Sequence, residues 1–320
     1  MRFLVIGGGS IGKRHLKNLI ALGQEAAVCE PQAERAGQIR KDLNVDVFPD
    51  LNAAFERPFD AVLITNPNIY HLQTAIRAAE AGCHLFIEKP LSHTLKGVDE
   101  LISLIRSKKL KTLMGCNWKF HPSFRLMKKM LDDGAIGKVL SFSLNFGQYL
   151  PDWHPWEDYR KGYSANRSLG GGVLLDSHEF DYLQWFLGEI DEVFCVNAKV
   201  SDLEIDTEDV AETIIRTKGG ALGHVHLDYI QRPYRRQYAF YGSQGTLEWD
   251  WSAKKVSLFN AKRSAWEIYE EDPEYDLNQM YVDEIKHFIN ILHGKVVSVT
   301  DINKAKSVLQ VIDKAKNNMS

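Results

Sequence analysis

The chain opens with a short apolar run, "RFLVI" at 2–6, which turns straight into "GGGSIG" at 7–12. A helical pattern, "IGKRHLKNLIALG", begins at Ile11 without an intervening loop, with Leu16, Leu19, Ile20 and Leu22 apolar and Gly23 as a stop. A strand that passes into a helix through so few residues, nearly all glycine, restricts the fold severely. Gly7-x-Gly9-x-x-Gly12 has the spacing in which the first glycine makes the tight turn, the second admits a pyrophosphate and the third lets helix and strand pack closely. Ser10 and Ile11 supply the first turn of that helix, whose N–H groups and partial positive charge suit phosphate.

The strand–helix alternation continues. "EAAVCE" reads as a strand, "PQAERAGQIRKDL" as a helix opened by Pro31, and "VDVF" as a short strand. "DAVLIT", "HLFIEKP" and "KTLMGCN" then read as strands, with helices in "NIYHLQTAIRAAEAG" and "LKGVDELISLIRSKK" between them. Nearly all-apolar strands alternating with helices predict a doubly wound parallel sheet covered on both faces, an α/β Rossmann domain. Glu30 ends the second strand, where a carboxylate can bind the ribose diol. A 2′-phosphate would meet like charge there, so NAD(H) is expected over NADP(H).

After "GCN" the pattern changes. "HPSFRLMKKMLDDGAIG" reads as a helix, and beyond Gly188 come "DEVFCVNAKV", "DVAETIIRTKG", "GALGHVHLDYI", "RRQYAFYG", "GTLEWDW" and "KKVSLFN". Gly219-Gly220 and Ser243-Gln244-Gly245 are expected hairpin turns. Two helices close the chain, at about 277–292 and 301–316. This predicts an α+β domain on a large, mostly antiparallel open sheet, one face of which needs a cover of helices or a partner subunit. A dinucleotide-binding domain is expected over 1–118 and a substrate and oligomerisation domain over 119–320, with the helix at 301–316 a candidate to pack back on the first.

Composition narrows the function classes. At 44% apolar and 25% charged residues the chain is ordinary for a globular protein, and a net charge of −3 gives no general attraction to nucleic acid or anionic membranes. Cys29, Cys83, Cys116 and Cys195 are scattered and form no CxxC, which fits a reduced cytosol better than a disulfide framework. The apolar start is too short for a secretory signal, and no apolar stretch reaches membrane-spanning length, so a cytoplasmic location is expected.

Six stretches together carry a family resemblance: "GGGSIGKRH" at 7–15, "ITNPNIYH" at 64–71, "EKP" at 88–90, "CNWKFHP" at 116–122, "GGGVLLDSHEFD" at 170–181 and "GTLEWD" at 245–250. In this combination the chain resembles the Gfo/Idh/MocA family of NAD(P)-dependent sugar and cyclitol oxidoreductases over essentially its whole length. The resemblance implies a nicotinamide between the domains, near Thr65, Asn66, Pro67, His71, Glu88 and Lys89, with a sugar-like substrate facing it. It also implies a homodimer or homotetramer formed through the open sheet.

Oxidation of a secondary alcohol needs a base for the hydroxyl proton and a cation for the developing alkoxide, and His178 and Lys89 are the candidates. The family commonly has Asp-x-Gly-x-His where this chain has Asp176-Ser177-His178, two residues shorter. The downstream His178-x-x-Asp181 spacing matches the family, so His178 aligns with the family's catalytic histidine. On one regular helix Asp176 and His178 would point about 200° apart. Asp176 is therefore a candidate partner only if it lies outside that helix. Asp176-x-x-Glu179 also reads as a capping box, and Asp181 competes as the orienting carboxylate.

Further candidates are Asn117 and Lys119, the latter where the family often has arginine, facing the cofactor or a substrate hydroxyl. Arg160, Lys161, Tyr163 and Arg167 lie in a polar loop that would suit a polyol. Arg232, Arg235 and Arg236 could grip an anionic substrate such as a sugar acid or nucleotide sugar, or could be a solvated hairpin end. His224, His226 and Asp228 alternate along one strand, but with no fourth ligand in the pattern no metal is expected. The alternatives to a sugar or cyclitol dehydrogenase are a catalytically silent sensor of the same fold and a reductase of a dihydrodiol or imine.

Overall fold

In the computed structural model, which describes residues 1–153, 155, 157–176 and 178–317, the chain begins with β1 (Arg2–Ile6), α1 (Ser10–Ala21), β2 (Glu25–Cys29), α2 (Ala33–Leu43), β3 (Val47–Phe48) and α3 (Leu51–Phe55). It continues through β4 (Ala61–Ile64), α4 (His71–Glu80), β5 (His84–Glu88), α5 (Val98–Ser107) and β6 (Thr112–Gly115). Next come α6 (Pro122–Asp132), β7 (Val139–Gly147), α7 (Val173–Asp176) and α8 (Glu179–Leu187). The remaining strands are β8 (Ile190–Ala198), β9 (Val210–Thr217), β10 (Leu222–Asp228), β11 (Arg235–Gly242), β12 (Gly245–Asp250), β13 (Lys255–Asn260) and β14 (Ala265–Glu270). Helices α9 (Asn278–Leu292) and α10 (Ile302–Asn317) close the chain.

These elements form two units, one of 1–117 with 277–309 and the other of 118–276 with 310–320. In the first, six parallel strands lie in the order β3-β2-β1-β4-β5-β6. The central strands are apolar at nearly every position because both faces are buried: Phe3, Leu4, Val5, Val62, Leu63, Leu85, Phe86 and Leu113 have no exposed surface. Helix α9 belongs to this unit, which corrects the expectation of one continuous second domain over 119–320. Its Ile285, Phe288, Ile291 and Leu292 join Phe3, Leu19 and Phe86 in one core, with the Phe288 ring 6.4 Å from Phe3 and 5.7 Å from Phe86. The burial of Phe288 alone is worth about 1.5–3 kcal/mol. The i, i+3, i+6, i+7 stripe announces a buried helix face and carries no information about which sheet covers it.

In the second unit eight strands run β14-β13-β12-β11-β7-β10-β9-β8. All neighbours are antiparallel except β7 and β10, which are parallel. One face carries helices α6 and α8. Phe124 lies 5.2 Å from Tyr182, 5.6 Å from Phe186, 5.4 Å from Tyr238 and 5.0 Å from Trp249, so aromatic rings fill the layer between helices and sheet. The other face exposes Phe194, Val196, Ile214 and Leu222 on β8, β9 and β10. No helix among the described residues is long and apolar enough to cross a membrane.

Candidate active site

The first unit gathers its candidates at the carboxyl edge of the parallel sheet, where ligands of open α/β sheets bind. Gly7 follows β1 with φ +99, and a side chain there would come within 2.8 Å of the Asn66 backbone. A side chain on Gly12 would collide with the Gly7 carbonyl and the Thr65 hydroxyl, so the third glycine allows the helix to meet the turn. Beside Gly9 the space is open: no atom lies within 4 Å of where its Cβ would stand. Ser10 and Ile11 begin α1, whose N-terminus has no side-chain cap. An open, uncapped helix N-terminus at a glycine turn fits a dinucleotide pyrophosphate.

Glu30 is almost fully buried. Its carboxylate accepts from the N–H of Gly8 and of Gln32, each at 2.8 Å, and from Arg35 at 3.2 Å. Glu30 thus braces the glycine turn. Thr65 faces inward, donating to the carbonyls of Ile6 at 3.0 Å and Gly7 at 2.8 Å. Asn66 donates to Thr74 Oγ1 at 2.9 Å, and Pro67 starts the turn into α4. His71 is buried with both ring nitrogens on backbone carbonyls, Nδ1 2.7 Å from Pro90 and Nε2 2.7 Å from Asn66. His71, which the family resemblance places near the cofactor, thus has both ring nitrogens on the protein backbone. Asn117 is buried too, with Nδ2 3.4 Å from Met280 Sδ.

Lys89 follows directly on β5 and is half-buried. Its neighbour Glu88 lies 2.6 Å from His15 Nε2, a buried pair that no spacing in the sequence announces. Burial alone would raise the Glu88 pKa, but the His15 hydrogen bond and the charges of His15, Lys89 and His71 hold it below the usual carboxylate value. Glu284 from α9 stands beside this pair, so that one atom from each of His15, Glu88 and Glu284 falls within 4.8 Å of the others. Its Oε1 accepts the Cys116 N–H at 2.6 Å.

In the second unit the stretch around His178 is two helices rather than one. Asp176 is the last residue of α7 and His178 stands just before α8, so the opposed directions of a single regular helix do not apply. The buried Asp176 carboxylate accepts from Tyr163 Oη at 2.5 Å, Ser164 Oγ at 2.6 Å and Tyr229 Oη at 3.1 Å. Burial and the negative charge of Asp176 push the Tyr229 phenol well above its ordinary pKa, so it stays a donor. The N-cap residue of α8, His178, makes no side-chain cap bond. The His178 N–H instead bonds Glu179 Oε2 at 2.9 Å, and its ring stacks parallel to Tyr182 with centroids 5.4 Å apart.

The other acids and bases of this region have internal partners. Lys119 Nζ lies 2.5 Å from Asp181 Oδ2 with both side chains buried, and 5.8 Å from the Trp185 ring centre. Asp181 is thus committed to Lys119. The three arginines do not converge. Arg236 is 3% exposed, pairs with Glu179 Oε1 at 2.6 Å and lies over the rings of Phe146 and Trp118, while Tyr238 donates to the same carboxylate oxygen at 3.0 Å. Arg235, one residue earlier on β11, is exposed because successive strand residues face opposite sides. Arg232 stacks 3.4 Å over Tyr149. His226 lies between Asp228, at 2.8 Å, and Glu212, at 2.6 Å, so both ring nitrogens face carboxylates. The neighbouring His224 meets Ser143 Oγ at 3.1 Å.

The two units match two family models in turn. Residues 1–116 match the oxidoreductase family with an NAD-binding Rossmann fold, and residues 124–248 match the Gfo/Idh/MocA C-terminal domain. The chain belongs to the Gfo/Idh/MocA family. Among Gfo/Idh/MocA relatives, the myo-inositol 2-dehydrogenase of Thermotoga maritima is 29% identical, over 94% of this chain and 91% of the relative. The NAD⁺-dependent scyllo-inositol 2-dehydrogenase of Bacillus subtilis is 27% identical, over 95% and 90%. A levoglucosan dehydrogenase solved with NADH and levoglucosan shares the fold, with a TM-score of 0.88 at 21% identity over 99% of this chain and 96% of that one.

Proposed function

We propose that this Gfo/Idh/MocA oxidoreductase is an NAD(H)-dependent dehydrogenase of a secondary alcohol on a sugar, cyclitol or sugar derivative. The observation that carries this reading is the Asp176 carboxylate, fixed by the hydroxyls of Tyr163, Ser164 and Tyr229 two residues before a half-buried histidine. Three donors suit an ionised carboxylate, and an ionised carboxylate stabilises the imidazolium that forms when a histidine takes a proton. His178 accepts the hydroxyl proton of the substrate, and Asp176 is the charge that supports it. Lys89 stabilises the substrate oxygen as negative charge develops there. When bound, the nicotinamide supplies the hydride acceptor. Gly7, Gly9 and Gly12 with the first turn of α1 hold its pyrophosphate.

Preference for NAD(H) rests on the Glu30 carboxylate, and Arg35 beside it offsets part of that charge. The internal pairing of Arg236 leaves Arg232 and Arg235 without the third member of an anion grip, so a neutral polyol is the favoured substrate. Self-association through the exposed face of the eight-stranded sheet follows from its apolar residues, and four buried cysteines, none in a disulfide, suit the cytoplasm. The test is NADH absorbance with NAD⁺ and a panel of cyclitols, aldoses and anhydrosugars. Reduction with at least one is expected, and none across the panel would remove the reading.

A further inference from the structure

His71 sits at the start of α4 and reaches two turns that the sequence keeps well apart. Its Nε2 lies 2.7 Å from the carbonyl of Asn66, in the turn after β4, and its Nδ1 lies 2.7 Å from the carbonyl of Pro90, immediately after Lys89. The ring is 2% exposed, so water does not compete for either bond. The two turns have separate neighbours. The Asn66 turn presses on the glycine turn, with the Thr65 hydroxyl bonded to the Gly7 carbonyl and the Asn66 backbone where any side chain on Gly7 would stand. The Pro90 turn carries Lys89.

We propose that His71 is a positioning residue, a clamp with one arm on the cofactor-holding turn and the other on the turn that places Lys89. This deepens the function proposed above, because it rests on Lys89 acting at the substrate oxygen. A carbonyl accepts only from a nitrogen that carries hydrogen, so the neutral ring serves one arm at a time and the imidazolium serves both. Burial pulls the His71 pKa below its ordinary value, while the Pro90 and Asn66 carbonyls and the Glu88 charge pull it back and Lys89 adds to the lowering. The second arm therefore closes as the solution becomes more acid.

The arms separate by substitution. The amide nitrogen of asparagine stands where Nδ1 stands and that of glutamine near Nε2, so His71→Asn keeps the Pro90 arm and His71→Gln keeps the Asn66 arm. His71→Gln is expected to lower kcat by roughly tenfold or more, the scale of a small misplacement near the chemistry, with little change in NADH Kd. His71→Asn is expected to raise NADH Kd several-fold and to act less on kcat at saturating cofactor. Relative to the wild type, both losses should grow as the pH falls below about 6.5, the ordinary imidazole value, as only the wild type gains its second arm. Equal effects of the two variants on both quantities, or losses that do not change with pH, would overturn the clamp. Lys89→Ala measured alongside keeps the two readings apart. If it turns over normally, the role of Lys89 fails, and the clamp then stands or falls on the NADH Kd of His71→Asn. Should a variant not fold, histidine-labelled wild type answers by NMR. A His71 ring N–H protected from solvent exchange is expected, and one exchanging rapidly would contradict the clamp.

Discussion

Lys119 and Asp181 form a buried ion pair, with Nζ and Oδ2 2.5 Å apart and side chains 2% and 8% exposed. Removing one partner of a buried ion pair is costly, so Asp181→Asn should lose about 3–5 kcal/mol of stability. The double replacement Lys119→Met with Asp181→Leu should recover most of it, since it leaves no orphan charge. Urea unfolding of the two variants checks this. A single variant as stable as the wild type would mean that the pair contributes nothing.

Asp176 is expected to behave differently. Asp176→Asn removes a negative charge near His178 in sequence, which lowers the imidazolium pKa and moves the acid limb of kcat/KM to lower pH. Tyr163→Phe, which removes one of the three hydroxyl donors, should lower activity less. Asp181→Asn should leave the acid limb in place. Profiles of kcat/KM against pH for the three variants decide the orienting carboxylate, and a limb that moves with Asp181 would reverse the assignment.

Glu30 sets cofactor choice in this account. Glu30→Gln keeps the shape beside Gly8 and frees Arg35 from its counter-charge. The ratio of kcat/KM for NAD⁺ to that for NADP⁺ should fall, and Glu30→Ser should lower it too, at some cost to the glycine turn. An unchanged ratio in both variants would move the determinant elsewhere.

His226 gives a stability prediction with a definite sign. The Asp228 hydrogen bond, with Glu212 assisting against burial, pushes its pKa up to about 9. A group with a raised folded pKa stabilises fully below its unfolded value, and that contribution fades as the pH rises through about 9. The urea midpoint of the wild type should therefore exceed that of His226→Gln most clearly below about pH 6.5, the ordinary imidazole value, and the two should converge above the raised one. A gap that is constant with pH would contradict the charged pairing.

The parts of this molecule that one segment dictates were legible in the sequence. The glycine turn, the apolar parallel strands and the hairpins at Gly219-Gly220 and Ser243–Gly245 each follow from local spacing, and each is present. Other features depend on partners distant in sequence. Strand β7 is missing from the sequence expectations although "VLSFSLNFG" alternates with period 2, and only the assembled sheet shows that it lies at the centre, parallel to β10. The destination of α9, the His15–Glu88 pair and the Arg236–Glu179 pair likewise join residues that no local rule connects. At Asp176 and His178 the sequence posed the right question, and the break between α7 and α8 sets the geometry.

The central claim is that Lys89 and His178 carry out alcohol oxidation on a bound nicotinamide scaffold. It is tested most directly by single-turnover NADH formation in His178→Ala and Lys89→Ala, with NADH binding followed by fluorescence in the same samples. Both variants should bind NADH like the wild type while hydride transfer slows by on the order of 10²–10³-fold. Near-normal transfer in either variant, with the wild type active on the same substrate, would contradict the account.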